Sequence, residues 1–398
     1  MSKARLNPSD FLLEADHPLR RYQRYGVYLG GAAVLASMVA FLTVPTTFLR
    51  GYLIAYMFWL GIALGSMGIL MLQYITGGRW GAVLRRILES AARTIPLLAI
   101  LFVPIALRLG DLFAWARPAA VAGDPILQQK AFYLNVPFFL ARAVFYFAVW
   151  LVVEFFLTRW GSEPDGSYDA ANETRLQFLG RGGLLLYALT MTFASIDWMM
   201  SLEPHWFSTI YAIMILGGQV LSAFAFAIVI AATLKTNTWV ARVIGPDQFH
   251  DIGKLMLAFV MLWAYFSFSQ YIIIWSGNVA DETPWYLART SGGWQWIALV
   301  LITFHFAVPF LILLSRPIKQ NAHRLAAVAL ALLVLRYVDL SWLITPAFSP
   351  GRLSAHGMDV ISFAAIGGLW VYAFVRQLAK RPLVPVGEPI LPYTEERT

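Results

Sequence analysis

The chain has 398 residues, of which 59% are hydrophobic and 13% charged, with a net charge of +8 and no cysteine. Soluble domains carry about 25% charged residues, so there is too little polar side chain here to cover a water-facing surface, and lipid must cover much of it. The missing cysteines exclude disulfides, thiolate zinc sites, Cys-ligated iron–sulfur clusters and covalent c-type haem in this chain.

Residues 1–25 mix Lys3, Arg5, Asp10, Glu14, Asp16, Arg20, Arg21 and Arg24 and hold no short apolar core or small-residue cleavage site, so they do not read as a signal peptide. They read as a cytoplasmic N-terminal segment. A spanning helix needs about 20 mostly apolar residues. Segments that meet this run over 26–48, 52–75, 84–107, 134–157, 182–202, 207–234, 252–276, 294–315, 323–345 and 358–378, and 379–398 forms a C-terminal tail. The third is interrupted by Glu89 and Arg93, and the fifth carries Asp197 near its end. Between the fourth and fifth, 161–168 reads as a solvated loop and 170–179 as a short separate helix. The expected fold is an all-α integral membrane protein of about ten transmembrane helices. No fixed-period repeat is visible.

The basic residues test that count. Alternate connections, with the two termini, hold 21 of the 30 Lys and Arg; the opposite connections hold six, and Arg93, Arg142 and Arg336 fall within spans. Such a bias fits an even number of helices with both termini in the cytoplasm. It also accounts for the net charge through topology and anionic lipid, so nucleic acid is not an expected partner.

Ionisable groups inside spans need a partner or a wet cavity. At a rise of about 1.5 Å per residue, Glu89, Arg93, Glu154 and Lys254 fall near the cytoplasmic side and His305 near the middle. Arg142, Asp197, Gln270, Arg336 and Asp339 fall toward the outer side. The spacings i,i+4 for Glu89 and Arg93 and i,i+3 for Arg336 and Asp339 allow each to pair on one helix face, locking the packing. Arg142 and Glu154, about 18 Å apart on one helix, must find partners elsewhere. Taken together, Glu89, Arg93, Arg142, Glu154, Lys254, His305, Arg336 and Asp339 are candidates for a polar ladder that carries protons through part of the membrane.

A second cluster closes the fifth span in the run 195–206. There Asp197, Glu203 and His205 could take protons from a quinol hydroxyl, Trp198 and Trp206 present flat apolar faces, and Gln270 lies at similar depth. The same residues suit interfacial anchors and a helix end at Pro204. Residues 275–278 and 284–286 read as a docking surface. Of the six histidines only His305 lies deep in an apolar run, so a b-type haem held by two axial histidines is a poor fit.

The runs FASIDWMMSLEPHWFSTIYA (193–212), LMLAFVMLWAYFSFSQYIIIWSGN (255–278), PWYLART (284–290) and GGWQWIALVLITFHFAVPFLILLSR (292–316) carry a resemblance. They resemble the smaller NrfD-like, polysulfide-reductase-type membrane subunit (ActF) of bacterial alternative complex III, a quinol:electron-acceptor oxidoreductase. The resemblance is strong over about 180–345; before that it lies mainly in the helix pattern. It implies two four-helix bundles with a flanking helix at each end, in the bacterial cytoplasmic membrane. The implied partners are a larger NrfD-like subunit, an iron–sulfur subunit, multihaem and monohaem c-type cytochromes, and small membrane subunits. Haem c and iron–sulfur clusters would belong to those partners, with no cofactor held by this chain; quinol or menaquinol would be the substrate. The larger NrfD-like subunit is the better candidate for quinol oxidation, leaving this chain to scaffold the membrane arm and hold proton half-channels. A purely structural subunit and a stand-alone secondary transporter are the rival readings.

Overall fold

The computed structural model describes residues 8–161 and 170–384. Lys3, Arg5 and Arg397, and all but the first residue of the loop expected at 161–168, lie outside them. The described residues are helical throughout, with no strand. Ten helices are long and apolar enough to cross a membrane: α1 (Pro18–Thr43), α2 (Pro45–Thr76), α3 (Arg79–Leu107), α4 (Val136–Trp160), α5 (Ala171–Leu202), α6 (Tyr211–Leu234), α7 (Pro246–Gly277), α8 (Trp294–Leu314), α9 (Ala322–Ala347) and α10 (Gly357–Leu378). The chain is a multi-pass membrane protein.

Prolines set several helix boundaries. Pro18 and Pro45 open α1 and α2, where a missing backbone N–H costs nothing. Pro96 cannot donate to the carbonyl four residues back, and α3 breaks into separate turns at Arg93 and Thr94. The same loss at Pro309 leaves the carbonyl of His305 without its α-helical donor, and residues Leu301–Ala307 widen into a π turn inside α8. The connection between α3 and α4 winds into short helices, Leu109–Leu112, Pro118–Ala122 and Pro125–Lys130.

The short helix expected at 170–179 is not separate. One helix runs unbroken from Ala170 to Trp198. Two glycines along it serve close packing: a Cβ on Gly183 would lie 2.5 Å from Met71 Sδ, and one on Gly180 2.9 Å from the Met71 carbonyl.

Helix α2 is apolar on every side and lies at the centre, its apolar window wholly buried. It packs on α3, α5, α6 and α10. Helices α2 to α5 pack among themselves, as do α6 to α9, and α2 and α5 join the groups through α6. Helices α1 and α10 form a peripheral pair in backbone contact; a Cβ on Gly30 would lie 2.9 Å from Gly368 Cα. The described ends of the chain meet on one side, where Leu383 N donates to Phe11 O at 2.8 Å. That side is called the terminal side below.

Candidate functional site

Helix α4 carries a polar or indole group at every fourth position through the membrane: Arg142, Tyr146, Trp150, Glu154 and Thr158. Successive members adjoin, so the row forms a winding face that turns about 160° around the helix while its sixteen residues cover about 24 Å of a hydrocarbon core about 30 Å thick. This face packs on α5 and α3.

Toward the side opposite the termini, Arg142 holds Asp197 in a two-pronged pair, Nε to Oδ2 at 2.8 Å and Nη2 to Oδ1 at 2.9 Å. Tyr146 donates to Asp197 Oδ2 at 2.7 Å, and Arg142 Nη1 donates to the carbonyl of Tyr133 at 2.9 Å. The rings of Tyr133 and Phe138 cover the guanidinium at 3.8 and 4.3 Å. Asp197 is fully buried, and three donors with a matched cation satisfy it. Burial, then the charge of Asp197, pushes the Tyr133 hydroxyl up to about 12.

One step further in, Trp150 Nε1 donates to Thr190 Oγ1 at 2.8 Å. An indole N–H only donates, so no proton passes through it. Around Trp150 the rings of Phe147, Trp198 and Phe102 form a dry block, with Trp198 5.8 Å from Trp150 and 4.7 Å from Phe102. Below the block Thr158 joins two charges: its hydroxyl donates to Glu154 Oε1 at 2.8 Å and accepts from Arg93 Nε at 3.3 Å. The expected Glu89–Arg93 pair does not form. Glu89 turns instead to Arg85 at 3.0 Å and Arg86 at 2.9 Å, one turn toward the helix start, while Arg93, whose N–H still bonds the Glu89 carbonyl at 3.0 Å, extends its side chain to Thr158 of α4.

The second helix group holds a different arrangement. Arg336 and Asp339 pair on α9, as their spacing predicts, and Trp263 Nε1 donates to Asp339 Oδ2 at 3.2 Å. Gly218 leaves the room that the guanidinium fills; a Cβ there would lie 2.2 Å from Arg336 Cζ. The His305 ring meets Trp263 edge-on at 4.5 Å. It is fully buried, and neither of its nitrogens has a hydrogen-bond partner.

Lys254 leaves the expected ladder. Helix α7 begins at Pro246, and Lys254 lies on an outward face, paired at 3.0 Å with an equally exposed Asp251.

The outer cluster expected around Asp197 also separates. Glu203 turns to the buried Arg289, 2.6 Å from Nη2, and Arg289 further donates to the carbonyls of Trp285 and Leu343. His205 is exposed and pairs with Asp124 at 2.6 Å. Slight desolvation works against ionisation of Asp124, but the backbone N–H groups of Leu127 and Ile126 and the His205 ring hold its carboxyl below the usual range. Trp198 is buried among the rings, Trp206 lies flat on Trp285 at 4.5 Å, and Gln270 receives Ser208 at 3.3 Å. These residues therefore do not converge on one pocket, because each carboxylate finds its nearest cation on a different element. One cavity of about 240 Å³ opens between the run 193–212 and the α3–α4 connection, lined by Lys130, Tyr133, Ser201, Pro204, Trp206 and Phe207 among others, and of the expected cluster only Trp206 borders it. Lys130 donates to the Pro204 carbonyl at 2.6 Å, and burial pulls its ammonium below the usual range.

Among the described residues no group of three or more His, Asp or Glu could hold a metal ion. Tyr146, Trp150, Thr158, Thr190, Trp263 and Arg289 are the polar partners that the sequence reading missed. The four-residue register on α4 was available as a signal for the first three. No family model matches the chain, and no curated protein matches it.

Proposed function

We propose that this chain is a membrane subunit of a bacterial respiratory quinol:electron-acceptor oxidoreductase of the alternative complex III type, in the cytoplasmic membrane, that scaffolds the membrane arm and holds two proton half-channels. One observation carries the half-channels: a buried carboxylate stands on either side of the aromatic block around Trp150, Asp197 of α5 held by Arg142 and Tyr146 of α4, and Glu154 on α4 itself. Asp197 with Tyr146 and Arg142 forms the half nearer the outside, and Glu154 with Thr158 and Arg93 the half nearer the termini. A continuous wire would leak protons; a path interrupted at Trp150 conducts only when the block is bypassed, as coupling to a redox partner requires. The quoted runs between residues 193 and 316 support the choice of complex, and the sided basic residues support cytoplasmic termini.

The electron carriers belong to partners in this reading: an iron–sulfur subunit, c-type cytochromes and a larger NrfD-like subunit. Affinity purification of the chain from native membranes tests it. The expected preparation contains covalent c-type haem and oxidises quinol, whereas a chain that purifies alone, without haem-bearing partners, is a transporter or another kind of membrane protein. The cavity of about 240 Å³ at Lys130 and Trp206 favours a second reading, in which this subunit itself receives a quinone ring. Photoaffinity labelling by a quinone analogue should then mark residues 129–134 or 200–207, and labelling of a sister subunit alone rejects it.

A further inference from the structure

The polar networks leave one large feature unused, an apolar groove of about 470 Å³ at the seam of α1, α10, α2 and α6. Its floor holds Trp59, Phe226 and Gly367. Gly367 must be glycine, since a Cβ there would lie 2.5 Å from the Trp59 ring. The α1 wall runs from Leu19 to Leu29, ten residues or about 15 Å, which is one leaflet of a hydrocarbon core about 30 Å thick. The groove therefore reaches from the terminal-side surface to about mid-membrane, where Trp59 closes it.

Its mouth has the chemistry of a headgroup region. Tyr22 and Tyr25 line the groove and stay 57% and 59% exposed, at the level where amphipathic rings favour the interface. The first two turns of α1 carry Arg20, Arg21 and Arg24 with no acidic residue among them. Arg21 lies beside the lining face next to Tyr25, with Arg20 and Arg24 further round the helix at the same level. Arg376 and Lys380 lie at the matching end of α10. Of the acidic groups that precede α1, Glu14 accepts from Asn237 at 2.8 Å, and Asp16 is exposed on the turn before His17. On α6, Lys235 lies over the Phe249 ring at 5.4 Å. The balance at this mouth is positive.

We infer that this groove is a binding site for an anionic phospholipid of the terminal-side leaflet, with one acyl chain lying between α1 and α10 and the phosphate at the arginines of α1. The assignment requires only that the chain spans a membrane and is independent of the respiratory reading. Phosphatidylglycerol and phosphatidylcholine share acyl chains and differ in net charge, so the pair separates the groove from the mouth. Each basic residue near a charged surface changes affinity about fivefold.

The experiment is native mass spectrometry of the full chain in detergent, titrated with dioleoyl phosphatidylglycerol or dioleoyl phosphatidylcholine. The expected result is one retained phosphatidylglycerol, bound at least fivefold more tightly than phosphatidylcholine. Val371→Trp, which fills the groove, should abolish that adduct; Val229→Phe serves if the first variant does not fold. Joint replacement of Arg20, Arg21 and Arg24 by Gln should keep a lipid but equalise the two headgroups. Equal affinities in the wild-type chain, or full retention after the groove is filled, would overturn the inference. So would a density map of the native assembly with a partner's helix in the groove.

Discussion

The two four-helix groups each bury an aspartate near the same membrane face, and they treat it differently. In the first, Asp197 takes a two-pronged Arg142 from a neighbouring helix and a tyrosine hydroxyl, so three donors from α4 serve one carboxylate on α5. In the second, Asp339 pairs with Arg336 from its own helix and one indole, beside a histidine whose nitrogens are both unpartnered. Saturation across helices fixes α4 against α5. Around Asp339 the Trp263 indole and the seat of the guanidinium against Gly218 tie the helices together, and the imidazole stands unpartnered beside them. The first arrangement is fixed by bonds between helices, the second mainly by packing.

Breaking the first arrangement should have the largest effect. Arg142→Leu strands the Asp197 charge in a dry site and should cost about 3–5 kcal/mol of unfolding free energy. Adding Asp197→Leu should recover most of it, and denaturant unfolding in detergent reads both. The second arrangement should answer in the opposite direction: His305→Phe removes two unpartnered nitrogens at similar volume and should raise stability by about 1–2 kcal/mol. A loss of that size would show the imidazole to be satisfied by water. Trp150→Phe deletes the bond to Thr190 and leaves a small void where the larger indole lay, for a loss of about 1–2 kcal/mol in the same assay. Lys254→Gln, on an exposed face, should stay within about 0.5 kcal/mol of the parent and leave proton release unchanged.

Much of this was legible in the sequence, for physical reasons. The ten spans follow from apolar length alone, and Arg336–Asp339 follows from helical spacing. Glu89–Arg93 fails although its spacing is as good, because Arg85 and Arg86 reach Glu89 from the preceding turn and Arg93 finds Thr158 on another helix, and local pairing rules do not see such competitors. The single helix over Ala170–Trp198 is hidden because a lone sequence does not reveal that Met71 lies against Gly180 and Gly183. Lys254 was misplaced by a helix start taken six residues late. The partners of Asp197, Glu203 and His205 come from residues 142, 289 and 124, and such distant pairings leave no periodic trace. The α4 register did leave one, hidden because Tyr146, Trp150 and Thr158 count as ordinary membrane residues until their neighbours are known.

Proton release per electron tests the central claim most directly, measured in vesicles holding the assembled complex with Glu154→Gln and with Asp197→Asn. With assembly intact, each variant is predicted to slow coupled proton release about tenfold or more. Parental release and turnover in both variants would contradict the account and leave these carboxylates as packing elements.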